Sequence, residues 1–225
     1  MASRFVPRWI VLVAAGEAIG FALATGAAVL AIVLELADLP RLALAVAGGA
    51  VEGAALGWGQ WLAMQRNRPH RARWIGATSC AAALAWLLGM LPSTVGLRID
   101  SAWTVALLAV GALALLASIP LAQWLVLDRP RTFRWVPVNM GAWLVAILWT
   151  AAPSPLVDEA SPIWFVAVLY VAAGLLMALT VAALTAPVAR ALFGPDEPRR
   201  PPASAGGLLL SQHSARPEGL EPPTF

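Results

Sequence analysis

Apolar positions in this chain come in long unbroken runs, not in the stripe of a water-facing helix or the alternation of a half-buried strand. Six such runs occupy residues 9–34, 42–64, 74–91, 102–127, 135–152 and 163–189. Crossing about 30 Å of hydrocarbon at about 1.5 Å per residue takes about 20 residues, so each run is a candidate crossing. Backbone in lipid must satisfy its own hydrogen bonds, and Leu/Ala-rich runs without period-2 alternation do so as helices, not as barrel strands. The expected fold class is all-α, a polytopic six-helix transmembrane bundle.

Composition agrees. Hydrophobic residues make up 60% of the 225 and charged residues 12%, and the mean hydropathy is +0.76. Soluble domains hold roughly 45–50% apolar and 25% charged residues, so a water-soluble fold is excluded. All 15 basic residues are arginines, and their placement fixes an orientation. Arg4 and Arg8 precede the first run. Arg66, Arg68, Arg71 and Arg73 separate the second and third, and Arg129, Arg131 and Arg134 the fourth and fifth; Arg190, Arg199, Arg200 and Arg216 come at or after the end of the sixth. With six crossings these share one side, and only Arg41 and Arg98 fall on the other. Short arginine-rich loops stay cytoplasmic, so both termini are expected in the cytoplasm and the protein in the cytoplasmic (inner) membrane. The first run, about 26 residues with Glu17 inside it, is too long for a signal-peptide core of about 7–15 residues and is expected to stay as an anchor.

The domain organisation expected is a transmembrane domain over residues 1–193 and a cytoplasmic tail over 194–225. From Gly194 onward prolines, glycines and charges replace the apolar runs. Such a segment buries too little to offset its ordering entropy and is expected to be disordered. Its last stretch, Arg216 to Phe225, resembles a string found at the ends of unrelated hypothetical bacterial proteins, where translation runs into a transfer-RNA gene.

One internal repeat stands out. Gln60-Trp61-Leu62 recurs as Gln123-Trp124-Leu125; an arginine turn follows each, and then Arg73-Trp74-Ile75 or Arg134-Trp135-Val136. The unit is a helix, a basic turn and a returning helix, used twice in the same orientation as helices 2–3 and 4–5. Counting inward from the turns puts Gln60 level with Thr78, and Gln123 level with Asn139. These four are expected to be interhelical polar pairs, each bond contributing about 0.6–2 kcal/mol. Trp9, Trp61, Trp74, Trp124 and Trp135 sit at the depth of an aromatic interface belt, and Trp103 and Trp164 at the other one. Pro120 is expected to kink its helix. The Q-W-L…R…R-W pattern resembles small multi-pass bacterial membrane proteins with repeated Q-W-L-x-L-R-R hairpins and a following Trp-Trp, where this chain has Trp-Ile and Trp-Val. The resemblance covers about a quarter of the chain and implies architecture, with no catalytic residue to carry over.

Glu17 and Glu52 are the ionisable side chains deep in the spans. A carboxylate there costs at least about 2.5–3.5 kcal/mol, so such residues face the bundle interior and often mark ion or proton paths. Gly16 and Gly20 bracket Glu17, and Gly49, Gly53 and Gly57 form a small-residue face beside Glu52, which suggests helix 1 packed on that face of helix 2. Cys80, with no base nearby in sequence, is expected to be a small buried apolar residue. Arg66, Arg68, Arg71, Arg73, Arg129, Arg131 and Arg134 are expected to meet lipid headgroups. One cysteine and two scattered histidines give no zinc-site spacing, and no cofactor is expected. Without a Ser–His, His–Asp or clustered-acid set at the water boundary, an enzyme is not expected.

The sequence therefore favours an integral membrane protein with a scaffold or subunit role, held by polar glue. The alternative is a small proton- or cation-linked transporter or channel using Glu17 and Glu52. Expected partners are membrane lipids and, through a glycine-rich face, a second copy or another membrane protein; nucleic acid is not expected.

Overall fold

The computed structural model describes residues 4–158 and 160–195. Of the tail expected over residues 194–225, all but the first two residues lie outside them. Among the described residues there are six long helices and no strand: α1 (Phe5–Val33), α2 (Asp38–Ala63), α3 (Arg71–Thr94), α4 (Ala102–Leu127), α5 (Trp135–Ala151) and α6 (Ile163–Phe193). All six are long and apolar enough to cross a membrane. They begin up to four residues earlier than the apolar runs, because a helix continues past the hydrocarbon into its polar flanks. Arg8 thus lies inside α1, where its guanidinium donates to the carbonyl of Leu62 at the end of α2 (2.7 Å).

Each helix packs on its neighbours in the chain, and α6 returns to α1, so the six close into a ring. The outside of the ring is mainly Leu, Val, Ile and Ala. Its buried polar side chains include Glu17, Glu52, Gln60, Thr78, Gln123, Asn139 and Thr185. In a membrane the outward apolar face carries no penalty, and buried polar groups find their partners across helix interfaces.

Glycine sets the tightest seam. A Cβ on Gly16 would stand 2.6 Å from the Ala55 carbonyl oxygen, and one on Gly59 would run into the carbonyl of Leu12. α1 and α2 are therefore in backbone contact, as expected, but through a different face. Gly49, Gly53 and Gly57 look toward α3, where they meet Trp86, Ala82 with Thr78, and Thr78 respectively. α2 thus has small residues on two sides, and the triplet belongs to its second seam.

The arginine end is closed by side chains. Trp9, Trp74, Trp135 and Phe193 are all fully buried, with ring centroids 5.7–6.3 Å apart across five of their pairs. The belt expectation fails for these three tryptophans: depth placed them correctly, but their rings turn inward to plug the bundle. Trp103 (78% exposed) and Trp164 (66%) face outward at the other end. At the arginine end the α2–α3 turn caps α6, since the backbone N–H groups of Gln65 and Arg66 donate to the Phe193 carbonyl (3.0 and 3.1 Å) and the Asn67 amide to that of Leu192 (2.9 Å). Those carbonyls have no partner within their own helix, so the turn satisfies them. α4 runs through Pro120 unbroken.

Cys80 is exposed on α3, not buried. It lies nine residues beyond Arg71, about 13 Å in at the helical rise, on the outside of the ring. A nitroxide attached to this single thiol is expected to collide more often with oxygen than with a water-soluble nickel chelate. Equal or reversed accessibilities would place α3 against water, contrary to a membrane-spanning ring.

Candidate functional site

Two polar layers occupy the interior. The first joins the hairpins through one amide. Gln123 donates both N–H bonds, to Gln60 Oε1 (2.7 Å) and to Thr78 Oγ1 (3.0 Å), and its own oxygen accepts from the Trp135 indole (2.9 Å). Thr78 in turn donates to the Trp74 carbonyl (2.8 Å). The expected pairing of Gln60 and Thr78 within one hairpin, and of Gln123 with Asn139 in the other, is replaced by a single hub that ties α2, α3, α4 and α5. Asn139 stays outside it: its amide donates to the Trp135 carbonyl one turn back (3.1 Å), and its oxygen has no partner among the described residues. The two Gln-Trp corners therefore lie at one end of the bundle.

The second layer lies deeper. Glu17 is fully buried and Glu52 almost so. The Trp86 indole N–H donates to Glu52 Oε2 (2.7 Å). Among the described residues no N–H or hydroxyl reaches either oxygen of Glu17. The other acid of the layer, Glu52, lines the same cavity as Glu17. Both acids face inward, as their depth required.

They open onto a cavity of about 540 Å³ to which all six helices contribute. Counted along the helices from the arginine turns, its floor at Glu17, Leu56, Ile119 and Trp143 lies about 13–15 Å in, and its far wall at Met90 and Tyr170 about 28–30 Å. The hub and the aromatic plug block the arginine end, so the cavity extends toward the other end and is partly open. Trp143, whose buried indole N–H has no partner among the described residues, lines it with Trp86. Trp58 on α2 instead faces outward beneath the guanidinium of Arg71 (5.6 Å to its ring).

Sequence reasoning missed Trp86 as the donor to Glu52, although the signal was present. The register that sets Gln60 level with Thr78 also sets Glu52, eight residues earlier, level with Trp86, eight residues later. The arginines divide. Arg68 donates to the carbonyls of Met64 (2.5 Å) and Leu62 (3.4 Å), Arg66 to that of Ala191 (3.2 Å), and Arg129 to the Asn67 side chain (2.9 Å). Arg71, Arg73, Arg131 and Arg134 are exposed at the same end. Part of the basic cluster therefore braces the turns themselves.

No family model, no curated protein and no solved structure matches the chain.

Proposed function

We propose that this chain is a proton-linked carrier of small solutes in a bacterial cytoplasmic membrane, with both ends at the cytoplasmic face. The supporting observation is the Glu17–Glu52 pair, one acid without a protein donor, at the floor of a cavity walled by all six helices. A paired acid in the middle of a membrane is costly, and one that faces a cavity has something to exchange with. The closed arginine end and the partly open opposite half fit one state of an alternating-access cycle around a fixed midplane site. Orientation follows from the arginine distribution, with the exposed arginines against phospholipid headgroups.

The scaffold or subunit reading has support of its own in the Gln123 hub, which is glue in the plain sense. It accounts for that layer and leaves the acid pair and its cavity without a role.

The test is the collapse of an imposed pH gradient in proteoliposomes whose membrane potential is clamped. Vesicles holding the full chain are expected to lose the gradient several-fold faster than protein-free vesicles, and Glu17→Gln or Glu52→Gln to return the rate to the protein-free value. Equal rates for wild type and both variants, with unchanged helical content and melting, would remove the carrier reading.

A further inference from the structure

Three features compete for what else this molecule binds: the central cavity, the small basic pocket between the turns and the end of α6, and the aromatic plug. The pocket has already spent Asn67, Arg68 and Arg129 on internal contacts, and the plug is packed ring to ring. The cavity alone combines space with an unpartnered buried acid.

We infer that the cavity takes a lipophilic organic monocation, of the class of hydrophobic amines and quaternary onium ions, seated with its charge on the Glu17–Glu52 carboxyls and its body among Phe21, Trp86, Trp143 and Tyr170. This deepens the carrier reading by naming the substrate class, and rests on it for transport but not for binding.

Four observations narrow the chemistry. The walls are almost entirely aliphatic and aromatic, and about 540 Å³ falls in the range of small-molecule sites, roughly 300–1,000 Å³. An inorganic cation stripped of water wants a shell of several oxygens close around it, and apolar walls of this span do not provide one. No Arg or His lines the cavity, so an anion would meet two acids with no counter-charge. A neutral apolar guest would leave the Glu17 oxygens without a partner, whereas a cation satisfies them and gains from ring faces. The rings come from α1, α3, α5 and α6, so they surround the space.

Charge balance then sets the exchange. An arriving monocation takes the place of one proton of the acid pair and supplies the same charge, and the displaced proton leaves to water on the open side. The titratable side chains that face Glu17 across the cavity are Glu52 from α2 and Tyr170 from α6. Among the lining residues α3, α4 and α5 supply none. Protons and ligand therefore compete for one pair.

Equilibrium dialysis of the full chain in lipid nanodiscs, with empty discs subtracted, tests this with two ions of one shape. Tetraphenylphosphonium is expected to bind saturably and at least about tenfold tighter than tetraphenylborate. Its affinity should rise with pH by up to about tenfold per unit while a proton is being displaced. Glu17→Gln is expected to lose at least about tenfold in affinity and to flatten that pH dependence. Equal uptake of the two ions by the unaltered chain, or cation binding that neither Glu17→Gln nor Glu52→Gln changes, overturns the assignment, and the first of these needs no variant to fold. A chain that collapses pH gradients through Glu17 yet holds no phosphonium overturns the ligand class alone. One that holds it through Glu17 but moves no protons overturns the carrier reading alone.

Discussion

Gln123→Leu is expected to lower the stability of the solubilised protein by about 2–4 kcal/mol, since three interhelical hydrogen bonds end on that one side chain and each contributes about 0.6–1.7 kcal/mol. Leucine fills similar space but leaves the Gln60 oxygen and the Trp135 N–H facing an apolar core. Both are fully buried, so water cannot replace the lost partner. Thr78 suffers less, because its hydroxyl still donates to the Trp74 carbonyl. The control is Asn139→Leu. Asn139 is equally buried, yet its single bond goes to its own helix and its oxygen is already unpartnered, so its loss should cost under about 1 kcal/mol. Melting curves followed by tryptophan fluorescence compare the two. If the Gln123 variant melts with or above the Asn139 variant, the amide hub is not what joins the hairpins.

The contrast between those two residues shows where sequence reasoning stopped. Depth was legible: lipid forces runs of about 20 apolar residues and sorts arginines to one side, so helix number and class, and the level of Gln60, Thr78, Gln123 and Asn139, follow from counting. Azimuth was not. In a soluble helix the apolar stripe says which face turns inward, but these helices are apolar all round, and their pattern carries almost no facing information. Trp74 and Trp135 have the depth of an interface belt whether the ring points to lipid or to the core. Gly49, Gly53 and Gly57 form a close-packing face whether the neighbour is α1 or α3. Cys80, small enough for either place, points outward. The acids were the exception, because their own chemistry forbids the outward choice, and so Glu17 and Glu52 could be assigned to the interior from one sequence. Closure of the ring by α6 on α1 depends on facing and had no signal, and the cavity appears only once the ring is closed.

Gly59→Ala is expected to be strongly destabilising for a single added methyl. Its added carbon would run into the Leu12 carbonyl, with Gly16 Cα 3.4 Å away, so what it meets is backbone on a facing helix and not a side chain able to rotate aside. The α1–α2 seam must then open along its length, at a cost of about 1–3 kcal/mol for overpacking and more where both walls are main chain. Gly111→Ala is the opposite case: nothing lies within 4 Å of a Cβ there, and alanine is the better helix former by about 0.8–1 kcal/mol. The two variants should therefore melt on opposite sides of the unaltered protein, and a Gly59 variant as stable as the Gly111 variant would mean that α1 and α2 do not touch through that face. Gly20→Ala separates stability from function on the same seam. A Cβ there would stand 2.7 Å from Glu52 Cα and 2.9 Å from its carbonyl oxygen, so relief of the clash moves Glu52 away from α1 and lengthens its approach to Glu17. At a loss of stability no greater than that of Gly59→Ala, Gly20→Ala should slow pH-gradient collapse further, because the same displacement that loosens the seam also pulls the acid pair apart.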